Sequence, residues 1–320
     1  MEPRTSNQPS APHSAKSATE PATLDRMALH VHVDALWTYA QHVGAAVPDG
    51  PDPVYTRMMP RMIDWAAEHN AKLTLFIVGC DLEVPEHARY VKAWHALGHE
   101  IASHSWSHPP QILALDDAAA EAQIRRAHAI IADTIGTAPI GYVAPGWYDD
   151  PRIWPVLDEL GYAYDCSLFP SWLMMLQPPA VYWLSPAARD RIRIWRRDWR
   201  RVMFGPAQQH ESMAHRTLKA SPMPVATLRL PYWHSLAFSL SERTSQRLIA
   251  SAMRRRPADY YHVAHPLDLI DPATDFGGQA FTYLRSTVTL EAKLAVWKSV
   301  MANYASKRIV TMRELIVDTV

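Results

Sequence analysis

Gly98-His99-Glu100-Ile101-Ala102-Ser103-His104-Ser105-Trp106-Ser107-His108 is the stretch around which the rest of the chain is organised. Glu100 to Ser103 reads as a short apolar strand, and it runs into two histidines four residues apart. That spacing is about one helical turn, so both imidazoles can point at one spot just past the strand end. Neutral imidazole is a common ligand for zinc, and a hydrolytic site typically has three protein ligands with a further position open to water. A third ligand must then come from elsewhere. A surface turn that happens to hold two histidines would look similar. The chain has 16 histidines, and His95 with His99 is such a pair, to which no role is assigned. The preceding strand and the serine directly after His104 favour a metal site.

The chain has 320 residues, 48% of them hydrophobic, enough for one large core or at most two smaller ones. Lys+Arg and Asp+Glu both number 32, so no global charge points to nucleic acid. Cys80 and Cys166, the 2 cysteines, end strand-like apolar runs, which suits buried thiols and excludes a disulfide framework. No apolar run approaches the length of a spanning helix. The N-terminus lacks the apolar core of a signal peptide, so a cytoplasmic location is expected. The 12 Trp and 26 Pro suggest many loops and amphipathic contacts.

Residues 1–25 are rich in Ser, Pro, Ala and Thr without periodicity, and are expected to be a disordered tail. A single domain is expected over 26–320. Met27 to Val33 is β-rich, with Ala28, Leu29, Val31 and Val33 apolar, and it ends at Asp34. Val54 to His69 reads as a helix, Lys72 to Val78 as a strand, and Pro85 to Leu97 as a helix closed by Gly98. Asp116 to Ile135 is a long helix closed by Gly136, followed by a strand at Pro139 to Val143. A helix from Asp150 to Leu160 and a short strand, Tyr162 to Tyr164, end at Asp165. Strands are then expected at Val225 to Leu230, Tyr260 to Ala264 and Arg308 to Val310, with helices at Ser241 to Arg256 and Thr289 to Tyr304. This alternation argues for parallel strands with helices outside, in a barrel or an open sheet. Asp34, His104 with His108, and Asp165 all fall at strand C-terminal ends, the edge where such folds build sites.

Residues 167–225 break the rhythm and read as a Trp/Arg/Pro-rich insertion. Within it, 187–204 looks helical, with Ile192, Trp195, Trp199 and Val202 on one stripe and arginines largely on the other faces. A helix packed on the barrel with snorkelling arginines suits this pattern best. Peripheral contact with an anionic membrane surface is the alternative. No Walker loop, Gly-x-Gly-x-x-Gly pattern or internal repeat is present.

These residues together resemble the polysaccharide deacetylase (NodB-homology) family, from about Met27 to Val310. His104-Ser105-Trp106-Ser107-His108 looks like the family's His-Ser-x-x-His metal motif. Val31-His32-Val33-Asp34 sits where the first motif carries two aspartates, a base and a ligand. In branches with a spaced first motif the second aspartate is the ligand, a position held here by Asp34. Val143-Ala144-Pro145-Gly146-Trp147 looks like the third motif, Asp165-Cys166-Ser167 the fourth, and Val263-Ala264-His265-Pro266 the fifth. The spaced first motif and the Gly-Trp pair are also similar to lipid-linked sugar deformylases. The implied fold is a distorted (β/α) barrel. The implied substrate contacts are Pro145, Gly146 and Trp147.

The resemblance implies a hydrolase that removes an N-acetyl or N-formyl group from an amino sugar or related glycoconjugate. The substrate could be linked to a lipid carrier. Asp34, His104 and His108 would hold a divalent metal, zinc by expectation, and His265 would be the general acid. The family's catalytic aspartate is replaced by His32, and the third-motif arginine by Val143. His32 is then the candidate base, since neutral imidazole accepts a proton near pH 7, and Asp165 is the candidate to hold its ring. Two alternatives stay open. One is a catalytically silent barrel that binds a glycan or a partner. The other makes His32 an additional metal ligand.

Overall fold

β1 (Arg26–Val33) is the strand on which both layers of the core meet. Its side chains alternate between two faces, as strand geometry requires. Met27, Leu29, Val31 and Val33 enter a large apolar cluster shared with the helices. Ala28 points the other way, into an inner cluster with Phe76, Ala102, Val143, Tyr164, Tyr261 and Val263. His30 and His32 share the face of Ala28. The computed structural model describes residues 26–43, 46–47, 49–109, 112–173, 200, 203–211, 218–276 and 288–318.

Among the described residues the other strands are β2 (Thr74–Ile77), β3 (Glu100–Ser103), β4 (Gly141–Tyr142), β5 (Tyr164–Asp165), β6 (His210–Glu211), β7 (Lys219–Ala220), β8 (Tyr261–Ala264) and β9 (Arg308–Val310). They form one sheet in the order β6-β7-β5-β4-β3-β2-β1-β8, with β9 also on β1. All pairings are parallel except β6 with β7. The two ends of this order do not pair with each other, so the architecture is an open, distorted (β/α) half-barrel with parallel strands and outer helices.

Among the described residues the helices are α1 (Leu36–Val43), α2 (Met59–Glu68), α3 (Pro85–Ala96), α4 (Asp117–Ile135), α5 (Trp154–Glu159), α6 (Glu242–Arg255), α7 (Leu290–Ala302) and α8 (Met312–Ile316). α4 shows why the chain starts and stops where it does. The Asp116 carboxylate accepts from the Ala119 amide at 2.8 Å, which satisfies one of the first-turn donors. Gly136 ends the helix at φ 75, a left-handed conformation that glycine adopts without a Cβ penalty.

Three sequence expectations need correction. Val225 to Leu230 is not a strand: Thr227–Arg229 is a 3-10 turn, and the one pairing there is an isolated bridge from Val225 to Pro231. Pro222, Pro224 and Pro231 lack amide donors, and Leu228 and Arg229 adopt φ 58 and 56, so no ladder can propagate. The strand that continues the sheet is β7 instead. A short helix, α8, follows β9 and was not expected; the Thr311 hydroxyl accepts from Glu314 N at 3.1 Å, and Glu314 accepts back from Thr311 N at 2.9 Å. α1, immediately after Asp34, was not expected either. The N-terminal tail and most of 187–204 lie outside the described residues. Among the described residues no helix is long and apolar enough to cross a membrane. Cys80 and Cys166 are free thiols.

Candidate active site and metal centre

Parallel register brings three strand ends together. β1 pairs with β2 on one side and β8 on the other, and β2 pairs with β3. Asp34 follows β1, His104 follows β3 and His265 follows β8. One potential ligand atom each from Asp34, His104 and His108 lie within 4.8 Å of one another, and the same holds for His32, Asp34 and His265. Asp34 is common to both groups.

His104 and His108 converge, but not as one turn of helix. Residues 104–109 form a loop in which Ser105 and His108 adopt φ 65 and 45. Left-handed backbone is uncommon for such residues and concentrates at functional sites. The loop is pinned by Gly79 N donating to Ser105 O and Cys80 N donating to Trp106 O, at 2.9 and 2.8 Å. The result is an approach of His104 Nε2 and His108 Nε2 to Asp34 Oδ1, at 3.4 and 3.6 Å.

The donor set fits a divalent cation. His104 Nδ1 lies 2.8 Å from the Val143 carbonyl, so it carries the proton and donates, leaving the Nε2 lone pair free. Burial, opposed by Asp34, pushes the His104 pKa down to about 4, so the ring is neutral at pH 7, as a ligand must be. His104 Nε2 and Asp34 Oδ1 are both buried and have no hydrogen-bond partner. Two facing polar atoms left unpaired in a protein interior call for an explanation, and a shared ion is the simplest. The other Asp34 oxygen, Oδ2, accepts from the Tyr39 hydroxyl at 3.3 Å.

His32 lies at the floor of this site. Its ring centroid is 4.5 Å from His104, 5.0 Å from His265 and 5.0 Å from Trp147. Burial, then the neighbouring His104, His30, His265 and His108 rings, hold its pKa well below the usual histidine value. His32 Nε2 is 2.9 Å from His30 Nε2.

The Asp165 carboxylate is committed elsewhere and does not hold the His32 ring. It accepts from Trp154 Nε1 at 3.0 Å, from Ser167 N at 2.9 Å and from the Ser167 hydroxyl. Ser167 Oγ also accepts from Ala144 N at 2.8 Å, so Asp165 braces the turn that carries the third motif. The partner of His32 is His30, which sequence reading passed over. The signal was available: His30-Val31-His32-Val33-Asp34 alternates with period two, placing three polar residues on one strand face.

Pro145–Trp147 is a 3-10 turn after β4, with Gly146 and Trp147 at φ 65 and 57. Trp147 reaches the site, 6.0 Å from His265 between ring centroids, while Pro145 is buried beneath it and Gly146 is exposed. Phe169 and Trp233 pack on Trp147 at 5.4 and 6.1 Å. His265 is fixed through its backbone, its amide donating to Asp268 Oδ2 at 2.9 Å, while its Nδ1 is buried without a partner. Beside the site, Asp81 accepts from Trp37 Nε1 at 2.8 Å and the Tyr55 hydroxyl at 3.0 Å. Burial pushes the Asp81 carboxyl up to about 7.

A parallel half-barrel that gathers an aspartate and two histidines at its strand C-termini, with a further histidine after a neighbouring strand, defines a class of hydrolase-like barrels. Comparison with known proteins names it. A family profile described as polysaccharide deacetylase matches residues 40–164. A chitooligosaccharide deacetylase of Sinorhizobium fredii is 31% identical over 161 residues, covering 43% of this chain and 73% of the relative. The chain belongs to the polysaccharide deacetylase (NodB-homology) family. Chitin deacetylase 1 of Cryptococcus neoformans is 30% identical over 118 residues, covering 37% of this chain and 24% of the relative. A peptidoglycan deacetylase of Helicobacter pylori is 28% identical over 148 residues, covering 44% of this chain and 49% of the relative. The chain thus spans about half or less of those two relatives. Among solved structures, a polysaccharide deacetylase-like protein from Mycobacterium smegmatis superposes with TM-score 0.56 at 16% identity, covering 93% of this chain and 91% of that one. An allantoinase superposes with TM-score 0.54 at 13% identity, covering 90% and 86%. At those identities the likeness concerns the fold.

Proposed function

We propose that this chain is a zinc-dependent N-deacylase that removes an acetyl group from an amino sugar of an oligosaccharide or related glycoconjugate. The carrying observation is the pair of buried atoms His104 Nε2 and Asp34 Oδ1, 3.4 Å apart and neither in a hydrogen bond, with His32 and His265 gathered beside them. The deacetylases of S. fredii, C. neoformans and H. pylori support the substrate class. Formyl in place of acetyl, and a lipid carrier in place of a free sugar, belong to the same chemistry and are arms of the test.

Asp34, His104 and His108 hold the ion. When bound, a divalent cation polarises the acyl carbonyl and eases the ionisation of water. His32 Nδ1, the ring nitrogen that His30 does not engage, accepts the proton of the attacking water. His265 donates a proton to the leaving amine nitrogen as the carbon–nitrogen bond breaks. Trp147, with Phe169 and Trp233 behind it, forms an aromatic wall beside His32 and His265 against which a sugar or acyl group packs.

The test is acyl release from N-acetyl and N-formyl amino sugars, chitooligosaccharides and a lipid-linked amino sugar, with added zinc or cobalt. His32→Ala and His32→Asp are run beside the wild type. Activity lost in alanine and kept in aspartate supports His32 as base. A silent wild type, with activity appearing in His32→Asp combined with Val143→Arg, would mean that the natural protein is a non-catalytic barrel. Val143, buried where the family carries arginine, is the observation behind that second outcome.

A further inference from the structure

His30 is fully buried on the inner face of β1, one layer below His32. Its ring stacks on Phe76 at 3.9 Å and lies 5.2 Å from Tyr261. Its Nδ1 is buried without a partner. An apolar side chain would fill this layer without leaving a polar atom unsatisfied. What His30 has that a phenylalanine lacks is Nε2, and that atom is 2.9 Å from His32 Nε2.

We propose that His30 is a positioning residue: its Nε2 lone pair accepts from His32 Nε2–H and so holds His32 in the tautomer whose Nδ1 is free to take a proton. This rests on the deacylase reading above, with His32 as base. A hydrogen bond between two imidazole nitrogens contains one proton, so there are two arrangements. With His32 donating, its Nδ1 bears a lone pair, on a ring whose centroid is 4.5 Å from His104 and 5.0 Å from His265. With His30 donating, His32 Nδ1 bears the proton and cannot act as a base. Either arrangement leaves His30 Nδ1 unpaired, so desolvation of His30 does not choose between them. The chemistry does.

The proton balance closes only in the first arrangement. The water O–H bond breaks, its proton forms a bond to His32 Nδ1, and the oxygen attacks the acyl carbon. His32 then carries hydrogen on both nitrogens, and His30 Nε2 goes on accepting from Nε2–H without any rotation. A base held in its tautomer by a group on its far nitrogen is the arrangement of a catalytic triad, whose third member is ordinarily a carboxylate. In this chain Asp165 does not serve, since its oxygens hold Trp154 and Ser167. The strand itself supplies the holder, two residues before the base.

The experiment uses the full chain, labelled with 15N-histidine and supplied with zinc. Long-range 1H–15N correlation reads which ring nitrogens carry hydrogen. His32 is expected as the Nε2–H form and His30 as the Nδ1–H form; the reverse pair overturns the proposal. Kinetics give the second readout. His30→Phe fills the layer but cannot accept, and should lose about 100-fold or more in kcat with KM and zinc content unchanged. His30→Gln offers an amide oxygen and should stay within about tenfold of wild type, since one retained acceptor preserves the tautomer. Wild-type kcat in a folded His30→Phe, judged by its thermal transition, overturns the proposal. If the wild type hydrolyses no acylated sugar but His32 is found as the Nε2–H form, the deacylase reading falls and the positioning role stands.

Discussion

His104 Nδ1 lies 2.8 Å from the main-chain carbonyl of Val143. This ties the metal motif after β3 to the third motif after β4 through a backbone atom, independent of which side chain stands at 143. Valine therefore preserves the orientation of the ligand, although the family carries arginine there. What changes is the interior. Val143 packs in the inner cluster with Phe76 and Tyr261, the two rings that flank His30. A guanidinium in that layer would meet two imidazoles, which disfavour a nearby cation and gain nothing from its hydrogen bonds. A valine at 143 is thus compatible with histidines at 30 and 32.

His104→Ala should lower zinc stoichiometry sharply, because it removes one of three ligands and leaves Asp34 Oδ1 facing a void. Metal analysis of the purified variant, dialysed against buffer, reads this directly. Stoichiometry equal to wild type would remove the assignment. Asp34→Asn should act in the same direction, because the carboxylate supplies the only negative charge among Asp34, His104, His108, His32 and His265.

His265→Ala should reduce kcat about 100-fold or more while leaving bound zinc unchanged, as expected for loss of a proton donor. Because His265 also groups with His32 and Asp34, loss of zinc in this variant would reassign it as a ligand. The two outcomes separate cleanly when metal content and turnover are measured on the same preparation.

The pH–rate profile should carry its acidic limb below the ordinary histidine range. His32 must be unprotonated to accept a proton, and burial, then the surrounding imidazoles, hold its pKa well below 6.5. Lowering the pKa of a base extends activity toward acid, so the acidic limb of kcat/KM should be centred below pH 6.5. A limb centred at or above 6.5 would exclude His32 as the base. The sequence by itself suggests a limb in the usual histidine range; the buried floor of the half-barrel moves it down.

The sequence makes the strand-end residues legible because strand, helix and motif order are local properties. Asp34, His104, His108 and His265 need only a strand before each of them, and parallel register brings them to one edge. Two other features are not legible in that way. The convergence of His104 and His108 depends on a left-handed loop clamped by the Gly79 and Cys80 amides, which lie distant in sequence. The partner of Asp165 depends on which rotamer satisfies Trp154 and Ser167, and no periodicity encodes that. The missing strand at 225–230 has a simpler cause. Its residues are apolar enough to suggest a strand, but Leu228 and Arg229 turn at positive φ, and prolines at 224 and 231 bound the segment. His30 was legible and passed over, because a histidine between apolar residues looks like a break in a strand face when it is the face.

Asp81 supplies a stability prediction independent of any activity. Its carboxylate is buried beside the site, bonded by Trp37 Nε1 and the Tyr55 hydroxyl. Burial is the main cause that pushes it up to about 7, with the nearby Asp52 adding to the rise and the two hydrogen bonds opposing it. In the unfolded chain the same group titrates near the ordinary value of about 4. Between those values the folded protein holds more protons than the unfolded one, so Asp81 makes stability fall as pH rises from about 4 to 7. The contribution is fully present at the acid end of this window and lost at its upper end. Ionising the buried group costs on the order of 4 kcal/mol. Asp81→Asn keeps an oxygen for Trp37 and removes the charge, while Tyr55 can turn its hydroxyl to accept from the amide. Urea midpoints of wild type and variant should therefore be compared at pH 5 and pH 8, as a difference, since buried histidines such as His104 act with the opposite sign. The variant should gain on the wild type between the two pH values. A difference that stays constant with pH would show that Asp81 is ionised throughout, stabilised by Trp37 and Tyr55 more strongly than burial opposes it.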